Sequence, residues 1–86
     1  MNKYIIVLVH PFILGQYICV YEENECKERI VADFDSAPKK IIETALTYNI
    51  KKIHLKGNKL FTTKIRDNTF KCNNFDKNKM EIIIED

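Results

Sequence analysis

The sequence predicts a small α/β domain of order β-β-β-α-β-α-β built on a mixed sheet. Three observations predict it. Residues 36 to 57 read as a capped helix that passes through a short turn into a strand, half of a crossover that sets two strands parallel. Tyr4 to Val9 is a continuous apolar run rich in β-branched residues, the pattern of a central strand covered on both faces. Between these stretches lie two alternating segments joined by Glu23-Asn24-Glu25, which read as an antiparallel hairpin.

Taken in order, Tyr4 to Val9 is the first strand, and His10-Pro11 breaks it. Phe12-Ile13-Leu14-Gly15 is expected to fold back over the core as an apolar connection. In Gln16 to Glu22, Tyr17, Cys19 and Tyr21 share one face, with Ile18 and Val20 on the other. Cys26 to Phe34 returns as a third strand with Ile30, Ala32 and Phe34 in register. Asp33 and Asp35 close it and lead to Ser36, whose hydroxyl is expected to cap the first helix, with Pro38 in the first turn. Ile41, Ile42, Ala45, Leu46 and Asn49 recur on one helix face, opposite Lys39, Lys40, Glu43, Thr44 and Thr47. Asn49 is the expected helix stop. Lys51 to Lys56 alternates as a fourth strand and ends at Gly57.

Asn58 is placed to cap a second helix on which Leu60, Phe61, Ile65 and Thr69 share a face, ending at Asp67-Asn68-Thr69. Phe70 to Lys79 is polar and Asn/Lys-rich, a loop with at most one irregular strand around Phe70 and Cys72. Met80 to Glu85 is the last strand. This order resembles the ribonuclease-H-like arrangement in topology alone, since no motif of that class accompanies it. A ferredoxin-like α/β sandwich is the alternative if the first hairpin is misread.

Eighty-six residues make one expected domain, 1–86, and 45% hydrophobic residues give it a core to bury. A chain this short gains from oligomerisation. Met1-Asn2-Lys3 followed by an apolar run has the outline of a signal-peptide start, but His10-Pro11 interrupts it and no small-residue cleavage site follows. The same interruption excludes a membrane span. Cys19, Cys26 and Cys72 form no CxxC pair and no metal-spaced cluster, so reduced thiols in a cytoplasmic setting are expected.

The net charge of +2 conceals an asymmetry: −3 over residues 1 to 35, +8 over 36 to 80 and −3 over the last six. Lys51, Lys52, Lys56, Lys59, Lys64, Arg66 and Lys71, interleaved with Tyr48, Phe61 and Phe70, could follow a phosphate backbone and stack on bases. With few arginines in the set, a solvated face competes with that reading.

No catalytic signature stands out. Nucleases of ribonuclease-H-like topology hold two metal ions with clustered carboxylates, and neither Tyr4–Val9 nor Ile53–Gly57 carries an acid. No metal or other cofactor is expected. A small hydrolase would need His10 with Asp33 or Asp35 as base and orienter, and Cys19 or Cys26 as nucleophile. Gly57-Asn58-Lys59 has the outline of an anion site but lacks P-loop or dinucleotide spacing. His54, between two lysines, reads as a half-exposed strand residue.

Tyr17, Cys19 and Tyr21 form an apolar strand face suited to a second copy or another protein if the helices cover the opposite side. The expectation is a non-enzymatic protein that binds another macromolecule, an adaptor or inhibitor, with a homodimer among its forms and no membrane contact. The Lys/Asn/Ile-rich composition suggests a phage or mobile-element accessory protein acting against a nucleic-acid enzyme. The second expectation is a nucleic-acid-binding module using residues 39–71, and the third is the small hydrolase.

Overall fold

The computed structural model describes residues 2–10 and 15–85. Seven elements appear in the expected order: β1 (Lys3–Val9), β2 (Gln16–Glu22), β3 (Glu25–Ala32), α1 (Ala37–Tyr48), β4 (Lys52–Gly57), α2 (Lys59–Phe70) and β5 (Glu81–Glu85). The strands form one five-stranded sheet in the order β3-β2-β1-β4-β5. β1, β2 and β3 are an antiparallel meander, while β4 joins β1 in parallel and β5 joins β4 in parallel. This is the expected mixed sheet in the expected element order, and not a ferredoxin-like sandwich. Pro11 to Leu14 lie outside the described residues, and with them the expected apolar return over the core.

The two crossovers, β3–α1–β4 and β4–α2–β5, travel across the sheet in the same direction. Right-handed connections of that kind put both helices on one face. The core lies there: Ile5, Val7, Ile18, Val20, Ile53 and Leu55 from the strands meet Ile41, Ile42, Ala45 and Ile65 from the helices.

Local chemistry explains the boundaries. The β2–β3 turn places Glu23 and Asn24 at φ 53° and 66°, both left-handed, as a two-residue hairpin of the primed type requires. Asn49 ends α1 in the left-handed conformation (φ 56°, ψ 52°), and the Ile50 N–H reaches back to the Ala45 carbonyl at 2.8 Å. Asn58 caps α2 by accepting from the Leu60 N–H at 2.9 Å.

Four expectations need correction. Ser36 makes no side-chain cap to α1; Asp33 does that work, accepting from the Ser36 N–H and hydroxyl at 2.8 Å each. The Asp33 carbonyl also takes the Ala37 N–H at 2.9 Å, so the helical turn starts before Ser36. Leu46 is 49% and Leu60 71% exposed, whereas Thr44 and Thr62 are buried, and Thr69 is buried as expected. Those threonines fit because each hydroxyl donates within its own helix, to the carbonyls of Lys40, Lys59 and Ile65. α2 extends to Phe70, just past the expected Asp67-Asn68-Thr69 stop, and the residues after it form turns, the expected loop. Finally, β1 is not covered on both faces by the described elements: Leu8 is 38% exposed, and Tyr4 and Ile6 are half-buried. Among the described residues no helix is long and apolar enough to cross a membrane.

Candidate functional site

Strand alternation sorts the side chains into two sets. With the helices on one face, the other carries Tyr4, Ile6 and Leu8 of β1, and Tyr17, Cys19 and Tyr21 of β2. Registers align these residues in rows across the sheet. One row runs Arg29, Cys19, Ile6, His54, Ile83, and a second runs Val31, Tyr17, Leu8, Lys56, Glu85. A third holds Tyr21, Tyr4, Lys52 and Glu81. No described element lies over this face.

The side chains on it brace one another. The rings of Tyr4 and Tyr21 stack at 5.2 Å with planes 2° apart, and His54 meets Tyr4 edge-on at 5.9 Å. The Tyr4 hydroxyl donates to Asn24 Oδ1 at 3.0 Å, tying β1 to the hairpin turn. Arg29 lies over the Tyr17 ring at 5.5 Å, and His10 meets that ring edge-on at 6.2 Å. Toward the β5 edge, Glu85 sits 3.6 Å from Lys56 Nζ and 3.4 Å from His54 Nδ1. That histidine nitrogen is buried and off the line of a hydrogen bond, so it has no hydrogen-bond partner among the described residues. A shallow concavity of about 410 Å³ opens here, lined by Tyr4, Ile6, Lys52, His54, Lys56 and Glu85, with Asn2.

The expected site residues divide. Tyr17 and Tyr21 lie on the uncovered face, half-buried, but Cys19 is only 5% exposed and offers little surface of its own. Of the basic set, Lys52 and Lys56 share that face, and Lys51 precedes β4. Lys59, Lys64 and Arg66 ride on α2, with Lys71 at its C-terminal cap, so these four lie on the helical side. Arg66 is paired with Asp67 at 3.1 Å. The sheet therefore separates the seven residues into two groups.

The His10–Asp pair also lacks support. Ser36 occupies the Asp33 carboxylate, and its hydroxyl and then its backbone N–H hold the Asp33 pKa below the ordinary carboxylate value. The His10 backbone N–H donates to the buried Gln16 at 2.5 Å, and its ring faces Tyr17. Burial, and secondarily the neighbouring Cys26, push the Cys19 thiol pKa up, the reverse of what a nucleophile needs. Among the described residues no three His, Cys, Asp or Glu side chains converge as metal ligands. A concavity of about 790 Å³ lies among the turns of Phe70 and Asn73–Asn78, and no His, Cys, Ser or Thr lines it.

No protein-family model matches the chain, and no curated protein is significantly similar to it.

Sequence reading missed Tyr4, Ile6, Leu8, Arg29 and Val31 as members of this surface. The outward half of β1 was hidden in a continuous apolar run, which gives no face. Only the parallel pairing with β4, together with both helices lying on one side, separates outward from inward residues.

Proposed function

We propose that this chain is a non-catalytic protein-binding module, an adaptor or inhibitor, that docks through the sheet face that no described element covers. The observation that carries the reading is Leu8, 38% exposed near the C-terminal end of the central strand β1, with Ile6 and Tyr4 on the same strand face and Val31, 56% exposed, at the β3 edge. Apolar side chains in the centre of a sheet are normally buried, and a contiguous exposed patch of them marks an interaction surface. Half-buried tyrosines suit such a surface, with an apolar ring and a wet hydroxyl.

The same rings argue against base stacking as the primary role. Tyr4 and Tyr21 spend facing sides on each other, and Arg29 occupies a face of Tyr17. A single-stranded nucleic acid needs free ring faces beside a continuous basic track. Here Glu81 and Glu85 share the face with Lys52 and Lys56, and Lys59, Lys64, Arg66 and Lys71 are on the helical side.

Placing a photo-reactive benzophenone side chain at Leu8 in the native host tests the reading. Covalent adducts with a polypeptide, unaffected by nuclease, are expected there and not from the same group at Lys64 on α2. Adducts lost to nuclease, or no adducts at Leu8, would overturn it.

A further inference from the structure

Charged side chains stand at both edges of the uncovered face. Its β3 edge carries Arg29, its β5 edge carries Glu81 and Glu85 with Lys52 and Lys56 of β4 beside them, and Tyr4, Ile6, Leu8, Tyr17 and Tyr21 lie between. We propose that the occupant of this face is a second copy of the chain, stacked sheet on sheet about a twofold axis running along β1. The inference rests on the protein-binding reading above and names its partner.

Geometry selects that axis. A rotation about the β1 direction reverses the strand order while keeping position along the strands. β1 then lies over β1, β2 over β4, and β3 over β5 of the second copy. Arg29 shares a row with Ile83, and Glu81 and Glu85 lie one row to either side. Each Arg29 is thereby set between two carboxylates of the other copy, and the pairing occurs twice. Tyr17 and Tyr21 fall over the rows of Lys56 and Lys52, where a ring and a hydroxyl can both be used. A twofold axis perpendicular to the strands does the opposite, bringing Glu81 onto Glu85 and Lys52 onto Lys56. Like-charge contacts of that kind oppose association. The self-complementary arrangement is isologous, as closed dimers are.

The area suffices. Five strands about 4.8 Å apart and six or so residues long, at about 3.3 Å per residue, give a footprint of roughly 500 Å² on each copy. Two such faces bury on the order of 1,000 Å², the lower bound for a specific interface, before side-chain relief adds to it. Stacked sheets of this kind lie about 10 Å apart with strands some 30° off parallel.

Charge reversal by mixing tests the arrangement. Light scattering on the purified full chain should show mass rising from 10.2 kDa to twice that with concentration. Arg29→Glu alone, and Glu81→Arg with Glu85→Arg, should each weaken self-association by roughly tenfold to a hundredfold, because like charges meet at both ends. An equimolar mixture of the two variants should restore the double mass, since each contact regains opposite charges. Restoration requires both variants to be folded, so it cannot arise from damage to the fold. Wild type that stays at 10.2 kDa up to millimolar concentration would overturn the dimer, as would a mixture that stays monomeric. Benzophenone at Leu8 distinguishes the two readings. Adducts with a different protein in the host and none in the purified chain reject the second copy but keep protein binding, while no adducts in either setting reject both.

Discussion

Tyr4 and Tyr21 stand as a parallel pair across β1 and β2, their centroids 5.2 Å apart on a face that no described element covers. Direct cross-strand partners of this kind contribute beyond their buried area. A double-mutant cycle with Tyr4→Leu and Tyr21→Leu should therefore show a coupling of about 0.5–1 kcal/mol in urea unfolding. Additive single effects would mean that the rings only share a neighbourhood. The pair also bears on binding. If the rings are braced for a protein partner, losing one should weaken the complex more than it weakens the fold.

The polar punctuation of the chain was legible, and its faces were less so. Asn49 and Asn58 act locally, one by tolerating a left-handed backbone and one by accepting from its own helix, so neither depends on tertiary context. Ser36 misled because hydroxyl and carboxylate compete for the same free N–H groups; Asp33, three residues earlier, reaches the Ser36 N–H and sets the helix start. The basic residues were adjacent in sequence but span a strand and a helix on opposite faces of the sheet. Spacing alone cannot reveal that separation. β1 is the most instructive case: an apolar strand ordinarily implies two covered faces, and here Leu8 is left 38% exposed on the face that no described element covers.

The Asp33 cap predicts a pH signature. Hydrogen bonds from Ser36, first from its hydroxyl and then from its N–H, depress the Asp33 pKa in the folded state. A depressed carboxylate stabilises the fold fully above its unfolded value, near 3.9, and the effect fades as pH falls through the folded value. Wild type should thus resist urea better than Asp33→Ala at neutral pH, with the difference in midpoint shrinking toward acid. A gap that persists unchanged below pH 2 or so would assign the effect to packing instead.

Gly57 is required where β4 ends against β1. Its φ is 143°, and a Cβ placed there would stand 2.5 Å from the Val9 carbonyl oxygen. Both the backbone conformation and the close approach disfavour any side chain. Gly57→Ala should cost about 1–3 kcal/mol by urea unfolding. Amide exchange should quicken at the β1–β4 junction more than in the β2–β3 hairpin. An unchanged midpoint would show that the two strands part without penalty at this end.

Buried Ile53 sits toward the other end of the β1–β4 pairing, fully inaccessible and flanked by Ile5 and Ile82 in the register. Ile53→Ala removes methyl groups from beneath both helices, where the surroundings are fixed by two crossovers and relax little. A loss of about 2–5 kcal/mol is expected, a large share of the stability of so short a domain. The contrasting change Leu60→Ala, at 71% exposure, should stay within about 0.5 kcal/mol.

The three thiols should react in an order set by exposure. Cys26 is exposed, Cys72 is half-buried with its thiol donating to the Asn68 carbonyl at 3.5 Å, and Cys19 is buried. Desolvation, and after it the adjacent Cys26, raise the Cys19 pKa, so less of its reactive thiolate is present at any given pH. Peptide mapping after brief iodoacetamide treatment should find Cys26 modified first and Cys19 last. The lag of Cys19 should lengthen with protein concentration if two copies meet over the sheet, because its side chain lies on that face, in the row of Ile6 and Arg29. Denaturant should abolish the order altogether, and equal rates in the native protein would mean that this face opens freely.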